Sequence, residues 1–267
     1  MIYLLAAFLI GAVVGSFLNV CIYRFPRQES VVFPASHCPA CNGRLKFWDL
    51  IPILSYFLLR GRCRYCKARI SWRYPLVEFV TALLFTAVFF RFGTPFLYPA
   101  AWLEILAFWV FVSLLIIAFF TDIEHQLIPD QVSIWGIVPG LLFNFIMVFI
   151  AFSGWTPLFS AVLGMALSYL FLAAVSKAGK MIFKKEALGE GDIFLAVMIG
   201  AFLGWQGVVL TLFLAYFISA LVILLLMVSR KLKMGDYVPF GPALVAGALL
   251  ALFFGDVIIN WYWTLIV

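Results

Sequence analysis

Two stretches of this 267-residue chain carry no charged side chain: residues 131–176, 46 positions long, and residues 193–229. One helical crossing of a bilayer core needs about 20 apolar residues. The first run is too long for one crossing and divides at Ser153-Gly154-Trp155-Thr156-Pro157. The second divides at Gly204-Trp205-Gln206-Gly207, into a short span and a long one. Residues 1–23 are also uncharged, and no Lys or Arg precedes them as in a secretory signal. They read as a retained first helix, with Gly11 and Gly15 spaced for close packing. Across the chain 66% of residues are hydrophobic and 11% charged, against about a quarter charged in soluble domains. A soluble enzyme, a disordered chain and a disulfide-rich secreted domain are excluded.

The remaining apolar segments complete an all-α polytopic membrane protein of about eight spans. The second span is Tyr74–Phe90, followed by a break at Arg91–Pro99. The third is Ala101–Thr121 and the last Pro239–Gly255. Charge tests the count. Residues 24–73 hold ten of the 18 Lys and Arg. If this insert is cytoplasmic, eight spans place the 121–130, 177–191 and 230–238 loops on the same side. Seventeen of the 18 basic residues are then cytoplasmic and only Arg91 lies outside, as the positive-inside rule requires. Both termini fall outside. The net charge of +6 thus reports topology and contact with lipid headgroups, and points to no nucleic-acid partner. The domains expected are residues 1–23, a first helix; 24–73, a cytoplasmic four-cysteine domain; and 74–267, a seven-helix membrane domain. No internal repeat stands out.

Cys38-Pro-Ala-Cys41 and Cys63-Arg-Tyr-Cys66 are two CxxC pairs inside the basic insert. Each pair can offer two thiolates to one metal, and together they complete a tetrahedral four-sulfur site, the usual form of structural zinc. A 50-residue insert has little core of its own, so a metal supplies folding energy. The competing reading is a pair of redox-active CxxC motifs. Cys21, inside the first helix, reads as a small buried apolar residue.

With 12 Asp and Glu in all, an acid beside a span is informative. Asp122 closes the third span and Asp192 opens the sixth, both on the cytoplasmic side. Two close carboxylates can hydrolyse a peptide bond, one taking a proton from water while the other, protonated, polarises the scissile carbonyl. Their titrations then belong to the pair. Gly189 and Gly191 give the chain beside Asp192 freedom and leave room for a substrate backbone. The same placement suits a proton or cation site of a transporter, or interfacial acids favoured by a helix dipole. On position alone these readings stay open.

Five blocks, in order, resemble the prepilin peptidases, the type IV leader peptidases of pilus and type II secretion systems. They are Gly15-Ser16-Phe17-Leu18-Asn19-Val20-Cys21-Ile22-Tyr23-Arg24; the paired CxxC insert; Ile70-Ser71-Trp72-Arg73-Tyr74-Pro75-Leu76-Val77-Glu78; Asp122 through Pro129-Asp130; and Gly189-Glu190-Gly191-Asp192, a GxGD block. The resemblance covers nearly the whole chain. It departs at Phe194, where the family often has Lys. It implies an eight-span bacterial inner-membrane enzyme with Asp122 and Asp192 as the catalytic pair. That enzyme cuts the basic leader from prepilins or pseudopilins, then methylates the new N-terminal amine from S-adenosylmethionine. Relatives without the cysteines still cleave, so zinc is not required for peptide hydrolysis. The alternatives are a leader peptidase without methylation and an ion-coupled transporter with a regulatory metal domain.

Further candidates surround these blocks. Glu124, Asp130 and Glu190 are placed to attract a cationic leader. Glu78 is either a helix-start acid or part of the methyl-transfer region, binding a substrate amine or cofactor. Asn19 suits an interhelical hydrogen bond and Arg24 an interfacial anchor. His125 could tune Asp122, and Pro129 helps place Asp130. Glu104 and Asp256 fall toward the outer side, without chemistry. No nucleotide-binding loop is recognisable.

Overall fold

A hydrocarbon solvent offers no hydrogen-bond partner, so each spanning segment must satisfy its own backbone, and the helix does so. The computed structural model describes residues 2–93, 99–150, 154–183, 188–231 and 238–266. Among these, seven helices are long and apolar enough to cross a membrane. Pro95 and Ser153, in two of the expected breaks, lie outside the described residues.

The chain divides into two compact units, Met1–Leu97 and Tyr98–Val267. The first contains α1 (Ile2–Arg24), a short α2 (Leu54–Leu58) within the insert, and α3 (Arg73–Phe92). This division falls after the second span, not before it. The cause is small-residue packing. A Cβ at Gly11 would stand 2.7 Å from the Ala82 Cα, and one at Gly15 would stand 2.7 Å from the Glu78 Cα. Farther along, Asn19 Nδ2 donates to the Tyr74 carbonyl at 3.0 Å. These three contacts run in opposite directions along the two helices, so α1 and α3 are antiparallel. The outward faces are apolar: Ile2, Leu5, Leu9 and Phe17 are exposed while Asn19, Thr81 and Glu78 are buried. That inversion suits a lipid surround.

The second unit contains α4 (Pro99–His125), a one-turn α5 (Asp130–Ser133), α6 (Ile137–Ile150), α7 (Thr156–Phe183), α8 (Glu190–Val228) and α9 (Gly241–Ile266). Most sequence boundaries hold to within a few residues. The last span does not: α9 continues eleven residues beyond the expected Gly255. The apolar pattern of Val257, Ile258 and Ile259 carries the helix past Asp256.

Seven helices are found where eight spans are expected because the sixth and seventh segments are two helical arms of one element, α8, joined at Gly204. Its Gly204 has φ 69° and ψ −174°, a conformation essentially reserved for glycine. The chain reverses there. Phe194 stacks near Tyr169 of α7 and Tyr216 near Phe171, so residues 22 positions apart share one level of α7. A straight helix would separate them by about 33 Å. The two arms of α8 are therefore antiparallel, and both pack on α7. Gly164 of α7 makes room: its Cβ would meet the Gly204 carbonyl carbon at 2.7 Å. The first arm, residues 190–203, is only about 21 Å long.

Gly204→Ala tests this turn. The substitution forces a side chain into a glycine-only conformation and against Ser160 Oγ. A loss of about 1–3 kcal/mol is expected, read as a lower melting temperature in detergent micelles. An unchanged melting temperature would show that the turn tolerates a side chain.

Candidate functional sites

Residues 36–45 and 61–70 fold into two matching knuckles. The Cys38 N–H bonds the Gly43 carbonyl and the Cys63 N–H bonds the Ala68 carbonyl, at 3.0 and 2.8 Å. His37 pairs with Arg44, and Arg62 with Arg69, as antiparallel bridges. Asn42 and Lys67 both take the left-handed conformation, φ 54° and 62°. The two knuckles are thus one structure repeated 25 residues on, a repeat that the differing side chains conceal in the sequence.

This repeat brings the four Sγ atoms of Cys38, Cys41, Cys63 and Cys66 within 4.8 Å of one another, with Cys38 and Cys66 at 3.9 Å. Tetrahedral zinc with bonds of about 2.3 Å requires sulfurs about 3.8 Å apart. The electrostatics also fit a cation. Backbone N–H groups of Cys66 and Tyr65 hold the Cys63 thiol down at about 7. The Gly43 N–H pulls Cys41 the same way, but its thiol neighbours, Cys66 foremost, raise it to about 11. The cluster could hold a metal ion, whose charge would offset that of four thiolates this close. Beside the cluster, Arg64 Nε donates to Asp49 Oδ1 at 2.6 Å, tying the second knuckle to the segment before α2.

In the second unit, α4 places Asp122 in its last turn and α8 places Asp192 in its first. Both are buried, 4% and 5% exposed, and Asp122 lies within Coulombic range of Asp192. Asp192 stands at the N-terminal end of α8, where backbone N–H groups are unsatisfied, and Asp122, at the C-terminal end of α4, faces the N-terminal end of α9. Asp192 is the third residue of α8, with the Gly189 N–H close to its carboxylate. The Gly241 N–H, in the first turn of α9, faces Asp122. A Cβ at 241 would come within 2.5 Å of Asp122 Oδ2, an oxygen with no hydrogen-bond partner among the described residues.

Gly191 packs against Ile128, its Cβ position 3.1 Å from the Ile128 Cβ. Neither Gly189 nor Gly191 has a positive φ, and of the two only Gly191 makes a close approach that a side chain would crowd. Glu124, His125, Asp130 and Glu190 are exposed near these helix ends. Glu78 and the cysteines belong to the other unit. Glu78 is buried, and its Oε2 accepts the Ile53 N–H at 2.6 Å; it is more than a helix-start acid.

Sequence reasoning missed two neighbours of the pair. One is Gly241, in the cluster Pro239-Phe240-Gly241-Pro242 that starts α9. The other is Tyr216, within Coulombic range of Asp192 and stacked near Phe240. The Pro-Phe-Gly-Pro pattern could have flagged the first. Tyr216 carries no local signal, since only the reversal at Gly204 returns it to the level of Asp192.

A polytopic helical protein with a buried carboxylate pair at helix ends and a separate four-cysteine insert is the class these features define. Comparison with known proteins gives the family. Residues 9–92 match the bacterial peptidase A24 N-terminal domain, and residues 109–224 match the type IV leader peptidase family. A prepilin leader peptidase/N-methyltransferase of Pseudomonas putida is 36% identical, covering 95% of this chain and 91% of its own length. Proteins of the same name from Bacillus subtilis and Pseudomonas aeruginosa are 36% and 34% identical. The first covers 96% of each chain; the second covers 97% of this chain and 93% of its own. No solved structure matches significantly. The chain belongs to the type IV leader peptidase family.

Metal analysis of the purified protein should find one zinc per chain, lost in Cys38→Ser and in Cys63→Ser. A folded wild type without metal would remove the structural role assigned to the cluster.

Proposed function

We propose that this protein is a bacterial inner-membrane prepilin leader peptidase and N-methyltransferase, with Asp122 and Asp192 as its catalytic pair. One observation carries the peptidase reading: two acids 70 positions apart in sequence are buried together at helix ends. Burying either charge alone is costly, and paired burial at a membrane edge is a recurrent sign of chemistry.

Hydrolysis then proceeds by general acid–base catalysis. The ionised carboxylate takes a proton from water, whose oxygen attacks the scissile carbonyl. The protonated partner donates a hydrogen bond to the carbonyl oxygen. As the tetrahedral centre collapses, the C–N bond breaks and the amine leaves with a proton. The substrate's apolar segment lies in lipid while its basic leader stays in the cytoplasm. Glu124, Asp130 and Glu190 attract that leader, and Gly189 and Gly191 let its backbone approach. The charge distribution supports a cytoplasmic site and cysteine domain, with both termini outside. Even parity follows when the two arms of α8 are counted separately.

Zinc, held by Cys38, Cys41, Cys63 and Cys66, acts structurally: four thiolates leave no open coordination position. S-adenosylmethionine serves as methyl donor, and Glu78 belongs to the methyl-transfer region.

Purified protein, a cognate prepilin and S-adenosylmethionine are incubated together and the products weighed by mass spectrometry. Loss of the leader plus one methyl group is expected. Asp122→Asn and Asp192→Asn should each lower cleavage on the order of 10³-fold. Leader loss without a methyl leaves a dedicated peptidase, and intact prepilin moves the assignment to ion-coupled transport.

Glu124→Gln, Asp130→Gln and Glu190→Gln should raise KM roughly two- to five-fold, the reach of an exposed ion pair, with kcat nearly unchanged. An unchanged KM in all three would remove the leader-steering role.

A further inference from the structure

Residues 47–59 of the insert carry a single charged side chain, Asp49. They lie between the spanning helices α1 and α3, in a segment with too little core to hide an apolar run. Phe47, Trp48, Leu54, Phe57 and Leu58 are accordingly 56% to 78% exposed. Asp49 does not break this surface. Its carboxylate turns to the Arg64 Nε and the Lys46 N–H, at 2.6 and 3.1 Å.

The exposed side chains form one continuous surface. On α2, Leu54, Phe57 and Leu58 stand at i, i+3 and i+4 and share a face. Ser55 and Tyr56 turn the other way, their hydroxyls donating to the Ile51 and Ile70 carbonyls at 2.7 and 3.3 Å. The helical turn Phe47–Leu50 packs against α2. The Phe57 ring meets the Trp72 ring, centroids 5.9 Å apart. Trp72 has helical φ and ψ and directly precedes α3. Leu76, Phe79 and Leu83 follow it at i+4, i+7 and i+11, all exposed. One apolar stripe therefore runs down α3, through Trp72, onto α2. The Ile53 N–H, bonded to Glu78 Oε2 at 2.6 Å, fixes the start of α2 to the same helix.

We infer that residues 47–58 are a membrane-docking surface, with Trp48, Leu54, Phe57 and Leu58 set into the interfacial layer of the bilayer at the face where α1 ends and α3 begins. The inference rests on the membrane-spanning helices and on neither activity. Three observations name phospholipid as the occupant. The antiparallel α1 and α3 tether both ends of the insert to one face of the membrane. The docking surface continues the exposed stripe of a spanning helix. Exposed basic residues bracket the apolar run, Arg44 and Lys46 before it and Arg60 and Arg62 after it. Such residues meet lipid phosphates while the apolar side chains between them go deeper, and Trp favours this layer. A protein partner would leave both the bracketing charges and the continuity with α3 without a cause. The four-cysteine insert is then a membrane-surface domain, and lipid gives it the apolar surroundings that its own fold is too small to supply.

The test uses the full-length protein in phospholipid nanodiscs, with a photoreactive benzophenone side chain placed at Leu54, Phe57, Leu58 or, on α3, Leu83. After irradiation and digestion, peptides are weighed for attached phospholipid. Adducts are expected at all three insert positions, at more than about a tenth of the yield at Leu83. With the probe at position 54, Phe57→Asp combined with Leu58→Asp should lower the lipid yield about ten-fold, because carboxylates resist entry among acyl chains. The melting temperature should stay unchanged, since both side chains are exposed. The three single-probe yields decide the proposal even if that double variant fails to fold. Yields below the stated fraction at all three positions would overturn it. So would adducts that join two copies of the chain, or that form only with added prepilin, since either makes the surface a protein interface.

Discussion

Lipid hydrocarbon solvates apolar side chains but satisfies no hydrogen bond, and the rest of this structure follows from that asymmetry. With apolar faces free to point outward, hydrophobicity cannot drive one helix against another. Close contact must come from small residues and buried polar ones. Gly11 and Gly15 on α1, Gly140 on α6 and Gly164 on α7 each admit a neighbouring helix closely enough that a Cβ would collide. Asn144 adds a bond from its amide to the Ala201 carbonyl, 2.9 Å away. One of these contacts, Gly164 against Gly204, is also where α8 reverses. One glycine turn thus returns Tyr216 and the start of α9 to the level of Asp192.

The same asymmetry decides where acids can go. In a helix's middle a carboxylate meets lipid and a fully bonded backbone. At a helix N-terminus it meets unsatisfied N–H groups, and at either end it can meet water. Asp192 occupies the N-terminal end of α8, while Asp122, at the C-terminal end of α4, meets the N-terminal end of α9, with the Gly241 N–H facing it. The pair is therefore held by backbone rather than by counter-ions, leaving carboxylate oxygens available for chemistry. The four-cysteine insert solves a different problem. It is too small for a core, and Trp48, Phe57 and Trp72 remain largely exposed. Its order comes from two knuckles closing on one cluster, each held by a left-handed residue and a short antiparallel bridge.

Much of this was legible in the sequence because it rests on local signals. Uncharged runs located the helices, CxxC spacing located the cluster, and the scarcity of acids isolated Asp122 and Asp192. What escaped was nonlocal. The four residues from Gly204 to Gly207 read as a loop, yet one residue makes the reversal while the helix resumes at once. No pattern within 193–229 distinguishes a kink from a turn; the decision lies in Ser160 and Gly164 on another helix. The division of the chain was hidden similarly, since α3 looks like any other span until Gly11 and Gly15 are seen against it.

Glu78 shows how far the two levels differ. In sequence it is an acid near the start of a span, where a dipole alone would account for it. In the structure it is six residues into α3, buried and bonded to the strained Ile53 turn. Together with Asn19 and Arg24 it makes the interior of the first unit more polar than helix packing requires. Removing three polar groups from water is unfavourable unless something compensates them, and the protein itself leaves the Asn19 acceptor unmatched. Stability alone would favour apolar residues at these positions. The first unit offsets part of that cost with its own backbone: the Tyr74 carbonyl accepts from Asn19, the Ser30 and Pro34 carbonyls accept from Arg24, and the Ile53 N–H donates to Glu78.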